Sequence, residues 1–168
     1  MYGENHNRSI PDRAMTAHDV HIRRARPDDL QEITSIERAS FPDPWEGDVL
    51  AESLHFYPRT FFVAENESHI AGFVAAGVED TGVEVYGHIL NLAVEPSVRS
   101  RGIGRRLVNR VELECLLLGA AGIQLEVRAS NTRARRFYEH LGYEQVFVLA
   151  DYYSDGEDAI VMMKWFVY

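Results

Sequence analysis

Residues 98–107 read Val98-Arg99-Ser100-Arg101-Gly102-Ile103-Gly104-Arg105-Arg106-Leu107, and their reading decides the fold. Upstream lies an apolar, strand-like run from Leu90 to Val94, closed by Glu95-Pro96. Downstream, Ile103, Leu107, Val111 and Cys115 recur at the spacing of a buried helix face. The spacing therefore predicts strand, turn, glycine-rich loop and helix. A helix N-terminus leaves amide hydrogens unpaired and carries about half a positive charge, so it suits a phosphate. Gly102 and Gly104 let main chain approach a ligand without an intervening Cβ. Arg99, Arg101, Arg105 and Arg106 add cationic donors. The expected occupant is a diphosphate-bearing cofactor, with a helix start among solvated arginines as the plainer alternative.

Two familiar phosphate loops do not fit. A P-loop needs a lysine after its last glycine, and none stands here. A dinucleotide fingerprint needs a third glycine where Leu107 stands, usually in the first strand–helix turn of a fold. What remains, Arg99-Ser100-Arg101-Gly102-Ile103-Gly104, resembles the acetyl-CoA signature of the GNAT N-acetyltransferases, (Gln/Arg)-x-x-Gly-x-(Gly/Ala).

Working outward, the 168 residues can bury a sizeable core in one domain. A net charge of −9 argues against a nucleic-acid-coating surface. The arginines instead cluster near 99–110 and 128–136, as a local anionic ligand would require. One cysteine, Cys115, excludes an internal disulfide and leaves no cysteine metal cluster. No apolar run reaches the ~18 residues of a membrane span and no secretory segment opens the chain, so the expected compartment is the cytoplasm.

Residues 1–18 are polar and aperiodic, and are read as a tail; His6 and His18 within it are not assigned a metal. Residues 19–168 are read as one domain. Strands are expected at Val20–Arg26, Thr60–Glu65, His69–Val78, Glu84–Val94, Ile123–Arg128, Tyr143–Ala150 and Ala159–Phe166. Helices are expected from Pro27 to about Ser40, from Glu46 to His55, over 103–120, and from an Asn131 cap to Leu141, where Gly142 stops it. Seven strands and four helices make an α/β, three-layer arrangement on a mixed sheet.

Several side chains carry two readings. Glu126 is a carboxylate on a central strand expected to be covered on both faces, where an acid without a task is costly. It is either an ion-pair partner of Arg128 or Arg133, or a general base. Tyr138 is either helix core or a proton donor to a thiolate. Asn131 caps its helix, contacts a pantetheine arm, or does both. His88 shares an alternating face with Leu90, Leu92 and Val94, and a satisfied core histidine is the favoured reading. Phe41 and Trp45, stiffened by Pro42 and Pro44, form either a packed helix connection or one wall of a substrate groove. Tyr152 and Tyr153 beside an acidic turn are either a hairpin plug or a lid.

The blocks Leu125-Glu126-Val127-Arg128-Ala129-Ser130-Asn131 and Phe137-Tyr138-Glu139-His140-Leu141-Gly142-Tyr143 resemble those of the RimI-type N-terminal acetyltransferases. Tyr152-Tyr153-Ser154-Asp155-Gly156-Glu157-Asp158-Ala159 is similar to a segment of their archaeal and eukaryotic relatives, and Ser40-Phe41-Pro42 with Trp45 to the bacterial loop. The likeness spans about 20–165 and implies a GNAT fold, acetyl-CoA as co-substrate and no metal. It implies Glu126 as proton acceptor, Tyr138 as proton donor, and His88 as a helper of the base through water. It further implies that the Leu92-Ala93-Val94 main chain holds the pantetheine, with Asn131 a further contact, while Ser100 to Arg105 takes the pyrophosphate. Tyr153 would hold the first peptide units of a protein α-amine acceptor, so protein or peptide N-termini, ribosomal ones among the candidates, are the implied partners. The longer Pro42-Asp43-Pro44-Trp45 loop departs from the bacterial pattern and leaves first-residue selectivity open. Two other activities fit the residues: acetylation of a small amine, and coenzyme A binding without turnover.

Overall fold

A computed structural model describes residues 17–67 and 69–166. The expected tail falls almost wholly outside them. Its last two residues join Asp19 in a single 3-10 turn, Ala17–Asp19. Strands β1 (His21–Arg24), β2 (Phe61–Asn66), β3 (His69–Asp80) and β4 (Val85–Val94) form an antiparallel series. Strand β5 (Gly122–Arg128) runs parallel to β4, and β7 (Ala159–Trp165) lies antiparallel between β5 and the edge strand β6 (Glu144–Leu149). The sheet order is thus β1-β2-β3-β4-β5-β7-β6, the mixed seven-stranded sheet that the sequence predicts. No described helix is long and apolar enough to cross a membrane.

Two apolar layers clamp the sheet. Helices α1 (Leu30–Ser40) and α2 (Gly47–Phe56) bury Ile33, Ile36, Leu50 and Leu54 against Phe61, Val63, Phe73, Ala75 and Ala93. On the other face, α3 (Ile103–Leu117) buries Ile103, Leu107, Val111 and Cys115, the four positions whose spacing predicts this helix. Each such fully buried aliphatic side chain contributes about 1.5–3 kcal/mol through removal from water. Helix α4 (Thr132–His140) joins that layer through Tyr138. Asn131 caps it as predicted, its Oδ1 accepting the Ala134 amide at 3.0 Å.

Two irregularities in the sheet create the site. Ala75 pairs with Asn91 while Ala76 pairs with Ile89, so Leu90 is an extra residue in β4. Such a bulge bends a strand and reverses which face the following side chains occupy. Leu92 and Val94 therefore face α3, whereas His88 points to the opposite face with Asn91 and Ala93. The unbroken alternation expected for His88, Leu90, Leu92 and Val94 is corrected by that one inserted residue. Second, β4 and β5 pair only from Tyr86–Gly122 to His88–Gln124 and then diverge, although both continue.

Candidate active site

The divergence of β4 and β5 opens a groove of about 410 Å³, lined by Glu37, Phe41, Trp45, Leu92, Glu126 and Tyr138 among others. Glu95 donates its amide to Ala71 O on the β3 side of β4. Alternation along the strand then turns the amides of Leu92 and Val94 toward the gap, where β5 no longer pairs with β4. These are main-chain donors of the kind an amide-bearing arm requires.

At one end of the gap stands the glycine-rich loop. Gly102 adopts φ +84° at the start of α3, a conformation that L side chains enter at a cost, and no side chain caps the helix. Its first-turn amides are thus left to water or a ligand. Gly104 serves packing: a Cβ there would meet Phe137 Cζ at 3.3 Å. Not every arginine of the motif faces outward. Arg99 folds back, its guanidinium donating to Val94 O at 2.9 Å and to Ser40 Oγ at 2.9 Å. Arg106 reaches Val20 O at 2.7 Å, tying the helix to the start of β1. Arg133 on α4 donates to Ser100 Oγ at 3.0 Å, which brings a further cation to the loop.

Farther along the gap lies Glu126. Its strand neighbours Leu125 and Val127 are buried toward α3, so Glu126 faces the other way, into the groove. Its side chain keeps 17% exposure there, which corrects the expectation that Glu126 is covered on both faces. Its partner is likewise not an arginine. His88 Nε2 lies 2.6 Å from Glu126 Oε2, and His88 Nδ1 lies 3.0 Å from Glu79 Oε1. Burial alone would lower the imidazole pKa, but hydrogen bonds to Glu126 and Glu79 outweigh it and the net shift is upward. Arg128 is engaged elsewhere, with Asp155 at 2.8 Å and Glu157 at 2.9 Å.

Tyr138 approaches the same groove from α4, 7% exposed, its ring edge-on to Phe137 and Tyr143. Burial pushes its hydroxyl pKa upward and keeps it protonated. The opposite rim is the β6–β7 loop. Arg128 lies 4.0 Å from the Tyr153 ring centre, and Tyr152 stands edge-on to Tyr153. Burial also raises Tyr153, to about 12. Glu157 anchors this loop by accepting the Ser130 amide at 2.8 Å, and hydrogen bonding to Ser130 and Arg128 holds its carboxyl at about 2.

Phe41 and Trp45 line the facing wall of the groove while packing on the α1–α2 core. Their anchor is a residue that the sequence marks only as a turn of α1. Glu37 is 1% exposed and accepts the Trp45 amide at 2.9 Å and Asn91 Nδ2 at 3.0 Å. Burial raises its pKa, and these two hydrogen bonds oppose the rise. An acid at an apolar position of a helix stripe was the available signal. Among the described residues no group of His, Cys, Asp and Glu is arranged to hold a metal ion.

Comparison with known proteins agrees with this geometry. The family model described as "Acetyltransferase (GNAT) family" matches residues 30–143. An uncharacterized N-acetyltransferase of Methanocaldococcus jannaschii is 39% identical over 144 residues, covering 85% of this chain and 90% of that protein. An N-alpha-acetyltransferase of Sulfurisphaera tokodaii is 34% identical over 155 residues, covering 86% and 92%. Among solved structures, Chaetomium thermophilum Naa20 in complex with a bisubstrate analogue superposes with a TM-score of 0.80 at 30% identity, covering 87% of this chain and 86% of that one. With the fold, the groove and the family match in agreement, this chain belongs to the GNAT acetyltransferase family.

Proposed function

We propose that the protein transfers the acetyl group of acetyl-CoA to the α-amine of a protein or peptide N-terminus, ribosomal proteins among its substrates. The observation that carries this is the β4–β5 gap, whose groove is lined by both the buried Tyr138 and Glu126, the latter hydrogen-bonded to His88. The first-turn amides of α3, with Arg105 and Arg133 nearby, bind the pyrophosphate. The Leu92 and Val94 main chain and Asn131 align the pantetheine. Bound acetyl-CoA supplies an activated acetyl thioester.

The chain's own residues then handle protons. Only a neutral amine attacks a thioester. An α-amine of pKa about 7.7–8.0 costs roughly 1 kcal/mol to deprotonate at pH 7, whereas a lysine near 10.4 costs roughly 4.6 kcal/mol. Glu126, coupled to His88, takes the amine proton directly or through water, a demand one carboxylate can meet for the α-amine. Tyr138 donates its hydroxyl proton to the departing sulfur. Phe41, Trp45 and Tyr153 position the first residues of the peptide, and orientation of this kind is worth several kcal/mol. Relatives named N-alpha-acetyltransferase, and a similar structure holding a bisubstrate analogue, support the reading.

The test is transfer from acetyl-CoA to short peptides beginning Ser, Ala, Thr or Met, some taken from ribosomal proteins, read by mass spectrometry. Peptides with blocked N-termini and free lysines are expected to be much poorer. Preferential lysine or small-amine acetylation would overturn the α-amine assignment.

A further inference from the structure

His88 bridges two carboxylates of unlike exposure. Glu126, on its Nε2 side, is 17% exposed and faces the groove. Glu79, on its Nδ1 side, is 54% exposed and stands near the end of β3. The distances are 2.6 Å and 3.0 Å, each within hydrogen-bond reach. The sheet register produces this line. Gly77 pairs with His88 and Glu79 with Tyr86, so Glu79 sits diagonally beside His88 on the same face, one step farther from the groove. Gly77 adds no side chain between them, and the Tyr57 ring covers that spot. The result is a continuous path from the bottom of the groove to open solvent.

Acetylating an ammonium releases one net proton. A peptide seated between the α1–α2 loop and the β6–β7 loop covers Glu126 and hinders that proton from leaving through the groove. We propose that Glu79, His88 and Glu126 form a relay that carries the substrate's proton to bulk water, with Glu79 as its outer terminus. The proposal rests on the α-amine reading above and assigns a role to Glu79. The amine nitrogen gives its proton to a Glu126 oxygen, which passes a proton to His88 Nε2. The imidazolium gives up its Nδ1 proton to Glu79 Oε1, and Glu79 releases it to water. Once the acetylated product leaves and the groove reopens, Glu79 returns a proton from water to Nδ1. Nε2 passes its proton through Glu126 to water entering the groove, which restores the starting tautomer with one net proton released. No bond other than O–H and N–H changes along the path.

Glu79→Gln and Glu79→Ala separate relay from positioning. Glutamine still offers a carbonyl oxygen to Nδ1–H but does not carry the proton onward; alanine offers neither. The measurement is steady-state acetylation of an α-amine peptide at constant ionic strength, in low and in high concentrations of a tertiary-amine sulfonate buffer. In low buffer, Glu79→Gln is expected to lower kcat about tenfold, with KM for acetyl-CoA and peptide unchanged. High buffer should restore its kcat while leaving wild-type kcat nearly constant. A Glu79→Gln enzyme with wild-type kcat in low buffer overturns the relay, and so does a lowered kcat that buffer does not restore. Loss only in Glu79→Ala would make Glu79 a positioning residue and also overturn it. Wild-type protein inactive on every α-amine peptide would instead overturn the activity reading on which the relay rests.

Discussion

Asn91 on β4 donates its Nδ2 hydrogen to Glu37 Oε2 on α1 at 3.0 Å, across a boundary where both side chains are buried. The other oxygen of the same carboxylate receives the Trp45 amide. One acid therefore fixes the α1–α2 loop against the strand that edges the gap. Glu37→Gln presents an amide donor to one of two donors. It should cost about 1–3 kcal/mol of stability by leaving a buried group unsatisfied. Urea denaturation measures that loss, and peptide KM should rise more than acetyl-CoA KM because the displaced wall faces the acceptor.

Glu126→Gln and Tyr138→Phe keep size and shape while removing the proposed proton acceptor and donor. Each should lower kcat by about a hundredfold, the scale of positioned proton transfer. Calorimetric titration with coenzyme A should show affinity within a factor of about two of wild type, since neither side chain lies at the phosphate loop; RT ln 2 is a few tenths of a kcal/mol. Loss of binding with turnover intact would assign both residues to packing.

Gly102→Ala places a Cβ on a residue at φ +84°, costing roughly 1–2 kcal/mol. Strain at the first turn of α3 also misaims the open amides. The expected result is a lowered Tm together with a raised KM for acetyl-CoA and little change in peptide KM.

His88 has its pKa raised in the folded protein by Glu126 and Glu79, against the lowering effect of burial. A raised folded value means that protonation favours the native state. The resulting stability is complete below the unfolded pKa of about 6.5 and fades as pH climbs through the folded value. His88→Gln should therefore depress Tm more near pH 6 than near pH 9, as a pair of thermal melts would show.

Cys115 is fully buried on the inner face of α3, and burial pushes its thiol up to about 12. Thiolate is the reactive form, so the folded protein should react very slowly with thiol reagents at neutral pH. In denaturant one equivalent should react at once.

The fold was legible because its elements obey simple periods. The fourfold spacing of Ile103 to Cys115, the Asn131 cap and the alternating Ile123–Val127 strand each follow from local rules. Alternation along Ile123–Val127 also set Glu126 on the face opposite Leu125 and Val127, but it did not show that this face opens into a groove. What stayed hidden depends on register. Nothing in Tyr86–Val94 signals that Leu90 is an inserted residue, so the face of His88 could not be read, nor its meeting with Glu126 and Glu79. Arg128 was likewise an obvious partner for Glu126 by proximity in sequence. Alternation sends neighbours two apart to one face, yet the β6–β7 loop supplies Arg128 with two nearer acids.

The slot between β4 and β5 is edged by peptide groups rather than by chemically distinctive side chains. Every residue except proline brings the same amide. Substitution along Leu92–Val94 can thus reshape the neighbouring core without erasing the donors, and only an imino acid deletes one outright. A cleft edged this way is insured against point mutation, leaving the flanking loops free to diversify.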